Sequence, residues 1–149
     1  MRIVLQRVSR ATVRVEQRKI TSIDKGILLL IGIGKADEVL DLPQLAQKVV
    51  DLRIFEDQAG KMNRSLRDVE GEILAVSQFT LYGDTKKGRR PSFSKAASPQ
   101  EAKPLFDAFI TALKAKGVPV KAGVFGARME VELVNDGPVT FILELASHV

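Results

Sequence analysis

The sequence predicts an α/β fold: one mixed, barrel-like sheet with two helices packed on it, forming a single domain over residues 1–149. Three observations predict it. Short apolar or alternating runs recur along the chain, and two longer stretches carry apolar residues at helical spacing. The two kinds of segment also interleave, in the order ββββ-α-ββ-α-βββ. No internal repeat, low-complexity segment or linker divides them, and 149 residues are enough to bury one substantial core.

At the N-terminus, "RIVLQRV" and "ATVRVE" alternate apolar and polar residues and predict two strands. "ITSI" and "ILLLIGI" flank the turn "DKG" at 24–26, which predicts a hairpin. Leu42, Leu45, Ala46, Val49 and Val50 then fall on one helical stripe. Asp41 with Gln44 has the form of a capping box, and Pro43 fits only in a first turn. "LRIFED" and "EILAVSQF" predict two more strands.

The second helix is marked at both ends. Ser98 can cap it, Pro99 occupies its first position and Glu101 stands three residues after the cap. Ala102, Leu105, Phe106, Phe109, Ala112 and Leu113 form its buried stripe, and Gly117 supplies the stop. "VPVKAGVF", "RMEVELV" and "VTFILEL" predict three closing strands.

Composition excludes several chemistries. The chain has no cysteine, so disulfides, thiolate nucleophiles and cysteine metal sites are excluded. Its one histidine, His148, is penultimate, and a frayed terminus is a poor place for a triad imidazole. Nothing has metal-ligand spacing and no cofactor is implied. The longest apolar run, "GILLLIGIG", falls short of the roughly 20 residues of a membrane span. The opening residues lack the block pattern of a signal peptide, so a cytoplasmic location is expected. A net charge of +5 and an isoelectric point near 9.6 suit a polyanionic partner, or simply a mildly basic protein.

Four segments invite a functional reading. "IGIGKADE" at 31–38 has the look of a phosphate loop, but Gly32 and Gly34 are too close for Walker spacing and Ala36 replaces the hydroxyl residue. A tight strand-to-helix turn explains it better. "GDTKKGRRPSF" at 83–93 places Lys86, Lys87, Arg89 and Arg90 within five residues of a glycine- and proline-bounded loop. So dense a cluster suits phosphate contact with nucleic acid, against the alternative of a solvated loop. "SQFTL" at 77–81 ends a strand with Ser77, Gln78, Phe79 and Thr80, but no basic neighbour identifies an activated nucleophile. "NDGPVT" at 135–140 has the Asp-Gly pair of a hairpin turn, followed by a proline that cannot donate to a sheet. Spacing leaves these two segments open between turn or strand end and site.

"SQFTLYGDTKKGRRPSF" together with "GVFGARMEVELVNDGPVTFILE" closely resembles the D-aminoacyl-tRNA deacylases, also called D-tyrosyl-tRNA deacylases. The opening "MRIVLQRVSRATVRVE" fits the same family, so the resemblance spans essentially the whole chain. It implies hydrolysis of the ester joining a D-amino acid to the 3′-terminal ribose of tRNA, with recycling of the mischarged tRNA. It also implies a homodimer with an active site at each end of the interface. There a cis Gly137-Pro138 motif enters a pocket formed with the partner's strand end of Ser77, Gln78, Phe79 and Thr80. Arg7 is implied as support for the Gly-Pro segment, and Met129 as a pocket residue or a core one.

Two rivals from other classes stand beside this reading. A non-catalytic RNA-binding module suits the charge, but aromatic residues are only 5% of the chain, too few for an interleaved stacking surface. A hydrolase of small D-amino-acid esters would leave the cationic loop without purpose.

Overall fold

The computed structural model describes residues 1–145, and His148 lies outside them. The sheet is organised around β1 (Arg2–Val15), a 14-residue strand. The two alternating runs read from the sequence as separate strands are this single strand. On one edge β1 pairs antiparallel with β3 (Gly26–Gly32) through residues 2–8, and with β2 (Arg18–Ile23) through residues 11–15. β2 and β3 therefore do not form the expected hairpin with each other, because β1 is long enough to serve both in succession. The reversal into β2 instead uses Glu16 and Gln17, at φ 51 and 65.

β3 lies parallel to β6 (Glu72–Ser77), and β6 parallel to β7 (Val120–Ala122). Parallel pairs need long crossovers. The first contains α1 (Leu42–Asp51) and the small hairpin of β4 (Phe55–Glu56) with β5 (Met62–Arg64); the second contains α2 (Pro99–Lys114). "LRIFED" thus contributes only two strand residues, β5 is additional to the prediction, and "VPVKAGVF" contributes three. The Lys121 ammonium of β7 donates to the Ser22 carbonyl of β2 at 2.8 Å, which draws the sheet toward closure.

β3 is apolar throughout because both its faces are buried. Ile27, Leu29 and Ile31 face α1 and α2, packing with Leu42, Val50, Phe106 and Phe109. Leu28 points the other way, into a second core with Val8, Val13, Leu74 and Val76 inside the curved sheet. α2 begins as the sequence predicts: Glu101 N donates to Ser98 Oγ at 3.3 Å, and Ser98 N donates to Glu101 Oε2 at 3.4 Å. α1 does not. Asp41 is already helical, at the end of a 3₁₀ turn (Val39–Asp41), so its side chain makes no capping hydrogen bond. Pro43 does sit in the first turn.

The last strand, β8 (Glu130–Glu144), runs the length of β1 on its other edge. The two strands expected from "RMEVELV" and "VTFILEL" are one, and no hairpin turn separates them. Pairing is instead interrupted at "NDGPVT". Gln6 pairs with Thr140 and Val8 with Asn135, so the four residues 136–139 bulge opposite Arg7 alone. No helix among the described residues is long and apolar enough to cross a membrane.

Candidate active site

The segment at 31–38 is not an anion loop. The Gly34 amide donates to the Asp37 carboxylate at 2.7 Å, so an acidic side chain already fills the position a phosphate would take. Asp37 also pairs with the Met1 ammonium. Glycine at 34 leaves room for Tyr82, since a Cβ there would lie 2.8 Å from its ring.

Ser77 ends β6, and Gln78 N makes a last donation to the β3 carbonyl of Ile31 at 2.8 Å. The chain then leaves the sheet in a 3₁₀ turn, Phe79–Tyr82. Such a turn supplies no internal acceptor for its first N–H groups, here those of Phe79 and Thr80. The Arg2 guanidinium holds the far end of the turn, donating to Leu81 O at 2.7 Å while lying 5.0 Å from the Tyr82 ring centroid. The Thr80 hydroxyl accepts from the Gln78 side-chain amide, a neutral donor that cannot act as a base.

Beside this turn lies a cavity of about 620 Å³. Ser77, Gln78, Phe79 and Met129 line it, so four of the expected site residues share one space. Met129 also packs against the inner core and covers Gly123, where a Cβ would lie 2.6 Å from its sulfur. Phe125, Gly126 and Ala127 face the same space, as do Phe93 and the segment 96–99 at the start of α2. Sequence reasoning placed Ser98 and Pro99 only at the start of α2, and it did not mark Phe125, Gly126 and Ala127, because no periodicity runs through the irregular segment after β7. The signal for Phe125, Gly126 and Ala127 was the run "VFGARM" within the motif that carries the family resemblance. Among the described residues, no group of three or more His, Cys, Asp or Glu side chains could hold a metal ion.

The second motif lies elsewhere on the chain. The Gly137-Pro138 bond is cis, Gly137 has φ +140, and both residues are exposed. Arg7, only 4% exposed, braces the bulge: Nε donates to Asp136 O at 2.9 Å and Nη1 to Ile54 O at 2.7 Å. Asn135 closes it from the other side, its Oδ1 accepting from Val139 N at 2.7 Å. Register shows that this bulge is remote from Thr80 of the same chain. Arg7 pairs with Ile27, whereas Ser77 pairs with Ile31, four residues along β3 and roughly 13 Å away. The bulge also stands three strands aside from β6, in the order β8-β1-β3-β6.

The cationic loop is closed by reciprocal hydrogen bonds between Asp84 and Ser92 at 2.7 and 2.9 Å. Asp84 also accepts from Lys86 N at 2.9 Å, and Gly88 turns the tip at φ +66. Lys86, Lys87, Arg89 and Arg90 are all exposed, and among the described residues no ion pair engages them.

Comparison with known proteins places the whole chain in one context. Residues 4–144 match the family model described as D-Tyr-tRNA(Tyr) deacylase. A D-aminoacyl-tRNA deacylase of Thermomicrobium roseum is 60% identical over 146 residues, covering 98% of this chain and 95% of that protein. One of Geotalea daltonii is 56% identical over 144 residues, covering 97% and 96%. A solved structure named c-Myc DNA Unwinding Element Binding Protein superposes with a TM-score of 0.92 at 41% identity, covering 98% of this chain and 99% of that one. A probable eukaryotic D-amino acid tRNA deacylase superposes with a TM-score of 0.83 over 97% and 98%, at 20% identity, and supports the fold alone.

Proposed function

The chain belongs to the D-Tyr-tRNA(Tyr) deacylase family, and from that premise we propose how its residues divide the work. The reaction is hydrolysis of the ester between a D-amino acid and the 3′-terminal ribose of tRNA. In this reading the site is completed by a second copy of the chain, in the cytoplasm where charged tRNA resides. The Gly137-Pro138 bulge of one protomer faces the strand end of Ser77, Gln78, Phe79 and Thr80 of its partner. The observation that carries this reading is the separation of the two motifs within one chain: the bulge is rigidly braced yet exposed, and remote from its own Thr80. β8 also offers exposed apolar side chains to a partner: Val134, Phe141 and Ile142 leave 38%, 39% and 66% of their surface open.

Chirality discrimination follows from rigidity. D- and L-aminoacyl groups carry the same substituents, so no single attractive contact separates them. A fixed obstacle where the L side chain would project does so. Gly137 and Pro138 present main-chain carbonyls with no long side chain to swing aside, and buried Arg7 keeps the segment in place. Exclusion cannot act on an amino acid without a side chain, so glycyl-tRNA is a weaker, tolerated substrate.

For the chemistry, the amides of Phe79 and Thr80 stabilise the oxyanion, and the 2′-hydroxyl of the terminal ribose assists the attacking water. The alternative, attack by Thr80 Oγ, lacks a base, since the hydroxyl is engaged by the Gln78 amide. Met129 contributes an apolar wall. Lys86, Lys87, Arg89 and Arg90 hold the RNA backbone through sequence-blind phosphate contacts.

One experiment tests the whole reading: ester loss from D-tyrosyl-tRNA and L-tyrosyl-tRNA, followed across salt concentrations. Rapid loss of the D-ester only, slowing as salt rises, is expected. Equal rates on both esters would remove the chiral filter. Salt-independent rates would remove the loop's role.

A further inference from the structure

The side chains of Phe79 and Phe93 form an edge-to-face pair, with ring centroids 5.2 Å apart and planes at 63°. Phe79 is 59% exposed and Phe93 37% exposed, an unusual amount of open aromatic surface in a chain with so few aromatics. The Phe93 ring is held in place: a Cβ on Gly83 would lie 3.2 Å from its Cε1, so the glycine leaves room for it to lie against the main chain. Its position is informative. Phe93 directly follows Ser92, which closes the cationic loop, and shortly precedes the segment 96–99, which lines the cavity. It stands at the junction between the cavity and four cations that no ion pair engages among the described residues.

We propose that Phe93, with Phe79 at its edge, is a stacking platform for the nucleobase that precedes the terminal nucleoside of the single-stranded tRNA 3′ end. This rests on the reading of residues 77–80 as the ester-cleaving site. The terminal ribose must lie at the amides of Phe79 and Thr80. The strand leading from it toward the phosphate contacts of residues 86–90 then crosses Phe93. Every base has a π-face, so stacking there tolerates any base, as the loop's phosphate contacts tolerate any sequence. The platform fixes the strand's path and thereby the ribose.

The test compares wild-type protein with Phe93→Leu and Phe93→Trp on two substrates, D-tyrosyl-tRNA and the 3′ ester of D-tyrosine with adenosine, which has no preceding base. With Phe93→Leu, KM for the tRNA should rise about tenfold more than KM for the adenosine ester, with kcat for the two moving together. Phe93→Trp, which retains a stacking face, should restore the tRNA KM. Equal changes on both substrates would overturn the platform, as would a Trp variant no better than Leu when urea unfolding shows both intact. If the wild type cleaved neither ester, the site assignment itself would fall; if only the variants failed to separate the substrates, the platform alone would.

Discussion

Arg7 and Asp136 are joined through the main chain: the buried guanidinium donates from Nε to the Asp136 carbonyl at 2.9 Å. The same side chain donates from Nη1 to Ile54 O at 2.7 Å, tying the bulge of β8 to the segment that enters β4. Glu56 and the Asp136 carboxylate, at 3.7 and 3.9 Å, balance its charge from the solvent side. The planar fork donates to the two carbonyls from two separate, fixed nitrogens, whereas an ammonium is a single point donor.

Arg7→Lys should therefore leave one buried carbonyl without a donor and lower unfolding free energy by about 1–3 kcal/mol. Because the bulge loosens, L-tyrosyl-tRNA cleavage should rise relative to D-tyrosyl-tRNA cleavage. Urea unfolding and the ratio of the two rates check the two halves separately. A stability loss with an unchanged ratio would make Arg7 a purely structural residue.

Gly137→Ala meets two obstacles. Its φ of +140 disfavours an L side chain, and the new Cβ would lie 2.7 Å from Val139 Cγ2 and 3.0 Å from Val139 N. We expect a loss of about 1–3 kcal/mol in stability. D-tyrosyl-tRNA turnover should fall at least about tenfold, since small misplacements of a positioned group are costly. Full activity in this variant would remove the segment from the site.

Thr80→Ala separates the two chemistries. With main-chain amides as the oxyanion donors, kcat should fall by less than about tenfold, with tRNA binding retained. A loss of several orders of magnitude in a folded variant would instead make Thr80 Oγ the nucleophile.

Tyr82, the chain's one tyrosine, reports on the turn that carries Phe79 and Thr80. Burial, and then the Asp37 carboxylate, push its phenol from 10.0 up to about 12; Arg2 opposes this and Glu144 adds to it. Between these values the unfolded phenol loses its proton while the folded one keeps it. The contribution to stability is therefore full below pH 10 and declines as pH rises toward 12. Phenolate absorbance of the folded protein should show a midpoint near 12. The stability of wild type relative to Tyr82→Phe should drop across the same window. A folded-state midpoint near 10 would contradict this account.

The candidate site was legible in the sequence to different depths. Ser77, Gln78 and Phe79 stand at a strand end, a place that periodicity marks, and they do share a cavity with Met129. Asp136 and Gly137 read locally as a hairpin turn, yet they belong to a bulge that interrupts the pairing of β1 with β8 without ending the strand. Local chemistry could not tell these apart, since a turn and a bulge ask for the same residues. Phe93, Phe125 and Ala127 were invisible to pattern, because loop residues meet a cavity only through the elements that flank them.

By itself the sequence determined what depends on near neighbours: the apolar stripes of both helices, the Ser98–Glu101 capping box and the charge of the loop. It also excluded thiol chemistry. Only the tertiary structure decided what depends on partners distant in the chain. β1 became one strand because β2, β3 and β8 all pair with it. Asp41 lost its capping role to a preceding 3₁₀ turn. Arg7 came to face residues 136–139, some 130 positions away, because register in a buried sheet is set by which faces pack. That long-range pairing turned a turn-like dipeptide into a braced, outward-facing motif.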